Sequence, residues 1–254
     1  MTPPPAPTPL RLKEVPARQG ALWVRQGFRI FLARPLAFTA LYAAFLFGAW
    51  LLVLMLSDIG WLLALMTMPL LTLVFMLATA GALAGRVPTP ALYLAPLRGD
   101  PRRARLIIQL GIAYAVALHL VGLLADAIDG NAMQALAQAM QAGHPEEMEA
   151  ALARPELQFG LLLRMALTAL LSLPFWHAPA LVHWGGQGFG QSLFSSTIAC
   201  WRARNALVVF GLAWAALVAL FALLSGIVFG LLGESRMMTV AALPAAVPRS
   251  CRRS

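Results

Sequence analysis

Five long apolar runs dominate this chain, and they restrict its fold more than any other feature of the sequence. The runs span residues 36–56, 61–84, 106–125, 157–182 and 206–232. A helix needs about 20 consecutive apolar residues to cross the hydrocarbon core of a bilayer, and most of the runs meet that length. They predict an all-α integral membrane protein with five complete transmembrane helices.

The overall composition supports the same class. Apolar residues make up 60% of the chain, charged residues only 11%, and the mean hydropathy is +0.76. Soluble domains average about 45–50% apolar and about 25% charged residues. Too little polar surface remains to cover a globule in water, so the expected partner of these helices is the lipid bilayer.

The two ends of the chain differ from its middle. Residues 1–11 are proline-rich and predict a disordered tail, whereas residues 12–240 predict a single helical membrane domain. No cleavable signal peptide is expected, because six basic residues precede the first apolar run. A sixth apolar stretch runs only from Met237 to Val247, which is too short to cross a bilayer. Residues 241–254 are therefore interpreted as an atypical tail with a truncated sixth helix, best explained by a frameshifted or truncated terminus.

Loop charges predict how the chain is oriented. Six basic residues precede the first run, and residues 86–105 hold five arginines against one acid. The loop 126–156 instead holds six acids and only Arg154. Because arginine-rich loops remain cytoplasmic, we expect a multi-pass protein of the bacterial inner membrane with its N-terminus in the cytoplasm and the acidic loop outside. The arginines that we take as topogenic are Arg98, Arg102, Arg103, Arg105, Arg202 and Arg204. Positive charge grouped in this way does not indicate a nucleic-acid partner.

Shorter helices are expected beside the spans. Residues 21–35 place arginines on one helical face and apolar side chains on another, which predicts an interfacial amphipathic helix with Trp23 as an anchor. A basic juxtamembrane tail is the alternative. Residues 57–60 form so short a connection that the first two runs must make an antiparallel hairpin.

The acidic loop predicts two helices of its own, with Gly143 as a stop and Pro145 as a start. Its acids are interpreted as a solvated cap rather than a cation site.

The fourth run contains residues that are unusual inside a membrane. Pro174 and Pro179 each remove a backbone donor, so we expect a kinked or broken helix with free carbonyls at Leu170 and Phe175. His177 is expected inside the hydrocarbon, where an ionisable group is a functional candidate by default. Arg164, about 28 Å from the far end of this helix, is expected to reach the outer headgroups.

A candidate polar cluster follows from these positions: His177, His183, Tyr114 and Gln109. Trp176 and Trp184 are expected to anchor the helix at the interface. Three interpretations remain open: a structural cluster, which we favour; a haem, metal or quinone site; and a path for a substrate or protons. The sequence requires neither a cofactor nor a metal, and we expect neither.

The function classes narrow further because no catalytic motif is present. We do not expect an enzyme. Small residues repeat at 81–85 and along 211–230, and such faces favour close helix packing, either in a homo-oligomer or with another membrane protein. The sequence favours a non-catalytic scaffold, assembly or regulatory protein; the alternative is a carrier or binder of a small molecule or ion, centred on the broken fourth span.

The chain resembles an uncharacterised family of polytopic bacterial inner-membrane proteins with the signature PFWHAPALVHWGGQG. The segments that carry the resemblance are ARQGALWVRQGFRIFLARPLAF, GRVPTPALYLAPLR and PFWHAPALVHWGGQGFGQSLFSSTIACWRARNALVVFGLAWA. The resemblance covers most of residues 15–240. It implies a six-span helical membrane fold and no particular activity, and the chain departs from it where the sixth span stops early.

Overall fold

The computed structural model describes residues 15–143 and 145–242, and this part of the chain contains only helices and their connections. The predicted tail 1–11 and residues 243–254 lie outside the described residues, as does His144. A 3₁₀ turn at Pro90–Tyr93 precedes the fourth of the α-helices. These are α1 (Gln19–Ala33), α2 (Pro35–Met66), α3 (Met68–Leu83), α4 (Ala95–Arg98), α5 (Pro101–Asp129), α6 (Ala132–Ala142), α7 (Pro145–Leu152), α8 (Pro155–His183), α9 (Phe189–Arg202) and α10 (Arg204–Ala242).

Prolines and glycines set most of these boundaries, as the sequence predicts. Proline is tolerated in a first helical turn, where no backbone donor is needed, and α7 and α8 begin at Pro145 and Pro155. Asp100 caps α5, because its carboxylate accepts the backbone N–H of Arg102 at 2.9 Å. The two predicted short helices of the acidic loop are confirmed as α6 and α7, with Gly143 in the left-handed conformation between them.

Four helices are long and apolar enough to cross a membrane within the described residues, namely α2, α5, α8 and Arg204–Val228 of α10. The apolar helix α3 is shorter, with 16 residues. The prediction of an all-helical membrane fold is therefore confirmed. A truncated sixth helix was predicted to begin at Met237, but in the structure α10 continues as one helix through Met237 to Ala242.

The predicted turn at 57–60 coincides with a sharp break inside α2. Ser57 has φ 49° and ψ −121°, which no helical residue adopts. The backbone of Gly60 lies against Leu52, so closely that a Cβ at Gly60 would overlap the Leu52 carbonyl oxygen. In a straight helix these residues would be about 12 Å apart along the axis. The chain therefore turns back on itself at Ser57.

The contacts divide the described chain into two units: Gln26–Arg204, and Val15–Arg25 with residues 205–242. In the second unit, Gly20 lies directly against the backbone of Ala206, and the rings of Trp23 and Phe210 meet edge to face at 6.5 Å. Trp23, predicted as a lipid-facing anchor, is thus half-buried in a helix contact.

Two cores hold the larger unit together. The first joins α3, α5 and α8 through the buried side chains of Leu73, Ile107, Leu110, Phe175, Ala178 and Val182. The second joins α2 and α3 through Phe38, Leu41, Val74 and Ala78. The hydroxyl of Tyr93 donates to the Leu41 carbonyl at 3.0 Å, and burial raises the pKa of Tyr93 to about 12, so the phenol keeps the proton that this bond needs.

Close helix packing uses glycines other than those the sequence indicated. Gly111 of α5 lies so near Met66 that a Cβ there would overlap the Met66 carbonyl oxygen. Gly85, which was expected to form a packing face with Gly81, instead follows α3 with φ 80° and nothing within 4 Å of a Cβ. Its role is to end the helix.

Candidate functional site

The fourth run, predicted to be kinked or broken, forms one continuous helix, α8, from Pro155 to His183, and a side chain of the next helix bonds its backbone near the prolines. The Ser196 hydroxyl of α9 accepts the backbone N–H of His177 at 3.0 Å and donates to the carbonyl of Leu173 at 2.8 Å. His177 and Leu173 are four residues apart, so they are the donor and acceptor of one helical step. The hydroxyl therefore bonds both partners of one helical step of α8.

The carbonyl that receives this outside donor differs from the prediction. The sequence indicated Leu170 and Phe175, the residues four before each proline. The structure instead directs Ser196 to the carbonyl of Leu173, the residue before Pro174. The fully buried Ser196 is held by α8 and not by its own helix.

A buried stripe on α9 places Ser196 there. Ser192, Ser196 and Cys200 recur every fourth residue and are each no more than 1% exposed. The Cys200 thiol also approaches the Leu173 carbonyl, at 3.6 Å, and burial raises its pKa, so it remains a protonated weak donor. This stripe was not predicted from the sequence, although the four-residue spacing of three small polar residues in an apolar helix was the available signal.

The two predicted histidines occupy different surroundings. The imidazole of His177 is half-buried, and none of the hydrogen bonds within the described residues reaches it. His183 ends α8, with its ring edge-on to Trp184 at 5.5 Å between centroids. Its Nδ1 atom is buried without a hydrogen-bond partner, beside a cavity of about 230 Å³ that Arg86 and Thr89 also line.

The predicted partners of the histidines are engaged elsewhere. Tyr114 packs edge-on against Phe175, with ring centroids 5.2 Å apart, and its hydroxyl does not reach either imidazole. Gln109 is exposed on α5 and forms none of the hydrogen bonds of the described chain. The four residues therefore do not form the single hydrogen-bonded cluster that the sequence suggested. Trp176 and Trp184 are exposed, as interfacial side chains would be.

A second polar cluster, which we name the ion cluster, joins α5 to α8 through Asp126, Asp129 and Arg164. The guanidinium of Arg164 bonds the carboxylates of Asp126 and Asp129, the latter at 3.0 Å, and the carbonyl of Gly122 at 3.3 Å. The side chain of Asp129 is fully buried. Gly160 makes room for it, since a Cβ there would overlap the carboxylate.

The ion cluster concerns two expectations. Arg164, which was expected to reach the outer headgroups, bonds Asp126 and Asp129 of the same chain. The acids at 126 and 129 are not part of a solvated cap, because they supply that pairing. Asp126 and Asp129 are three residues apart and share a face of α5, and Arg164 lies inside a long apolar run; these were the signals in the sequence.

The arginine-bearing connections meet at one end of the larger unit. Arg34 donates to the Gly85 carbonyl at 2.8 Å, and Arg86 shares a cavity with His183. The ion cluster lies about 40 Å away along α5, at its other end. Of the predicted topogenic residues, Arg103 forms an exposed ion pair with Asp100, and Arg204 stacks on Trp201. The remainder, Arg98, Arg102, Arg105 and Arg202, are exposed.

Among the described residues, no three His, Cys, Asp or Glu side chains are grouped as metal ligands would be. The polar groups within the helices mainly satisfy one another. Together with the four long apolar helices, they define a helical integral membrane protein.

The chain is similar to a protein of Burkholderia thailandensis named as a probable inner membrane protein. The two are 31% identical over 247 residues, and the match covers 94% of this chain and 87% of the relative. This chain therefore belongs to that family of inner-membrane proteins. No family model matches the chain, and no solved structure matches it.

The bridging hydroxyl gives a first prediction. Ser196→Ala leaves the His177 N–H and the Leu173 carbonyl without their buried partner, so we expect a loss of about 1–3 kcal/mol in unfolding free energy. Faster hydrogen exchange at the His177 amide should accompany it. The matched control is Ser195→Ala, which removes a hydroxyl that bridges nothing and should stay within about 0.5 kcal/mol of wild type. Equal losses in the two variants would contradict the bridge.

The ion cluster gives a second prediction. Arg164→Gln leaves Asp129 buried without its cation, and we expect a loss of about 3–5 kcal/mol, measured by unfolding in detergent. Adding Asp129→Asn should restore part of it. Arg103→Gln is the control, because its ion pair is exposed and contributes at most about 1 kcal/mol. A double variant no better than Arg164→Gln alone would show that the charges are not coupled.

Proposed function

We propose that this inner-membrane protein crosses the bilayer five times, with its N-terminus in the cytoplasm. The reversal at Ser57 supports two crossings between Pro35 and Leu83, the second made by the end of α2 together with α3. The helices α5, α8 and α10 supply the other three. The collection of arginines at one end, and of the acidic helices α6 and α7 at the other, supports the orientation through the positive-inside rule.

This topology predicts which connections are accessible from outside the cell membrane. Alkaline phosphatase fused after Gly143 should be active, and green fluorescent protein fused after Gly186 should fluoresce. A cysteine at Asp58 should react with an impermeant maleimide added from outside, because it lies in the turn of the first hairpin. If α2 were one crossing, Asp58 would be embedded and unreactive. Green fluorescent protein that fluoresces when fused after Gly143 would show that the protein has the opposite orientation.

We further propose that the protein is a non-catalytic scaffold or assembly factor that holds another membrane helix. The observation that carries this proposal is the exposure of the apolar surface of α10. None of the eighteen residues in its most apolar window is buried, and Gly211, Gly226 and Gly230 have no heavy atom within 4 Å of a Cβ position. Small residues allow close backbone approach in lipid, where apolar surface alone does not drive association.

The interior polar groups favour the same function. Ser196 bonds the α8 backbone, and Arg164 bonds one carboxylate oxygen of the buried Asp129, so both groups connect helices. Such pairing stabilises a rigid bundle, and a rigid bundle suits a protein whose task is to position another chain.

A binder or carrier of a small molecule is the second candidate function. The observation that favours it is the buried, unpartnered Nδ1 of His183 beside the 230 Å³ cavity that Arg86 also lines. A hydrogen-bond donor from a small ligand would satisfy that nitrogen.

Separate variants distinguish these two functions. Wild-type protein extracted in a mild detergent should migrate as a complex larger than one 27.3 kDa chain. Gly226→Leu should reduce it to the single chain, because the added side chain prevents close approach. Gly48→Leu is the matched control, since Gly48 also has open space around it but lies on α2.

The combined change His177→Leu and His183→Leu should leave the complex intact. Loss of visible absorbance or of uptake in that variant, with the protein still inserted, would favour binding or transport. A wild-type protein that migrates as a single chain would contradict the scaffold.

A further inference from the structure

The end of α3 carries two adjoining cavities, of which one is lined by basic as well as apolar side chains. The first, which we name the basic cavity, has a volume of about 570 Å³ and lies between α1 and α3. The second, the apolar groove, has a volume of about 610 Å³ and follows the outer face of α3. Leu83 lines both, so they form one continuous surface.

The basic cavity is suited to an anion. Two guanidinium groups and one amide line it, from Arg29, Arg34 and Gln26, and no acidic side chain does. Arg34 is fixed by its hydrogen bond to the Gly85 carbonyl, which leaves further N–H groups of its guanidinium for a ligand. Arg29 is exposed, and its guanidinium has no partner within the described chain. Two arginines that line one cavity without a carboxylate match the charge of a phosphate group.

The apolar groove is suited to a hydrocarbon chain. Phe75, Met76 and Ala80 line it, and the Thr72 hydroxyl is already bonded to the Met68 carbonyl at 3.1 Å. From Leu71 to Leu83 the helix rises about 18 Å, close to the roughly 15 Å that one leaflet of hydrocarbon occupies. The groove is thus long enough for one acyl chain.

We propose that the basic cavity and the apolar groove together form a binding site for an anionic glycerophospholipid. The phosphate lies between Arg29 and Arg34, and one acyl chain follows α3 toward the middle of the bilayer. Basic pockets between membrane helices are known to hold acidic headgroups. The site is independent of the scaffold and carrier proposals, because it uses neither α10 nor His183.

Lipid retention tests the proposal. The full-length protein is equilibrated in nanodiscs of equal parts phosphatidylglycerol and phosphatidylcholine, purified in mild detergent, and its remaining lipids are counted by mass spectrometry. Wild type should retain phosphatidylglycerol in preference to phosphatidylcholine. Arg29→Gln should reduce that preference about fivefold, since one arginine near an anionic headgroup contributes about 1 kcal/mol. Arg25→Gln is the matched control on α1, because Arg25 lines neither cavity.

A second variant separates the acyl chain from the headgroup. Ala80→Phe fills the apolar groove and should reduce retention of both lipids, whereas Ala43→Phe, at an exposed position of α2, should not. A photoreactive residue at Thr79 should cross-link to a lipid in native membranes.

Four results would overturn the proposal. The first two are wild-type protein that shows no preference for phosphatidylglycerol, and an Arg25→Gln variant that loses as much preference as Arg29→Gln. The third is a lipid that free inorganic phosphate displaces while Ala80→Phe has no effect on retention. The fourth is a cross-link from position 79 to this chain or to another protein.

Discussion

A helix in hydrocarbon must find a partner for each of its backbone polar groups, and this requirement organises the structure around α8. Pro174 and Pro179 of α8 each remove a backbone donor from the helix. The Ser196 hydroxyl of α9 bonds the α8 backbone next to Pro174. Ser192 and Cys200 lie on the same buried face of α9. The contact between α8 and α9 thus includes hydrogen bonds that α9 supplies to the α8 backbone beside its prolines.

Electrostatics and close packing complete the bundle. At one end, Arg164 joins α8 to the last turn of α5 through a fully buried aspartate, which fits only because residue 160 has no side chain. Near the middle, Gly111 brings α5 against the backbone of Met66. The core of Leu73, Leu110 and their neighbours fills the space that these contacts define. In lipid, backbone approach and polar pairing of this kind take the place of the hydrophobic effect between helices.

The sequence predicted the positions of the long helices, several helix ends and the reversal at Ser57. The apolar runs located the long helices, and Gly143, Pro145 and Pro155 located the ends of α6, α7 and α8. The reversal at Ser57 followed from the shortness of the connection. These features depend on residues that are close in the chain. Ser196 and the ion cluster were missed because each joins residues 19 to 38 positions apart, and no local pattern states which faces of two helices will meet. The proposed polar cluster of His177 with Tyr114 and Gln109 failed for the same reason: similar depth does not place side chains on facing surfaces.

The placement of the ion cluster has a consequence for the segment it encloses. Asp129 and Gly160 meet in space, so the 30 residues between them, which contain α6 and α7, begin and end at the same point. The ion cluster therefore joins the two ends of the segment that contains α6 and α7. A foreign module or an engineered epitope inserted between α6 and α7 would therefore leave the register of α5 and α8 fixed by the ion cluster at the base of the segment.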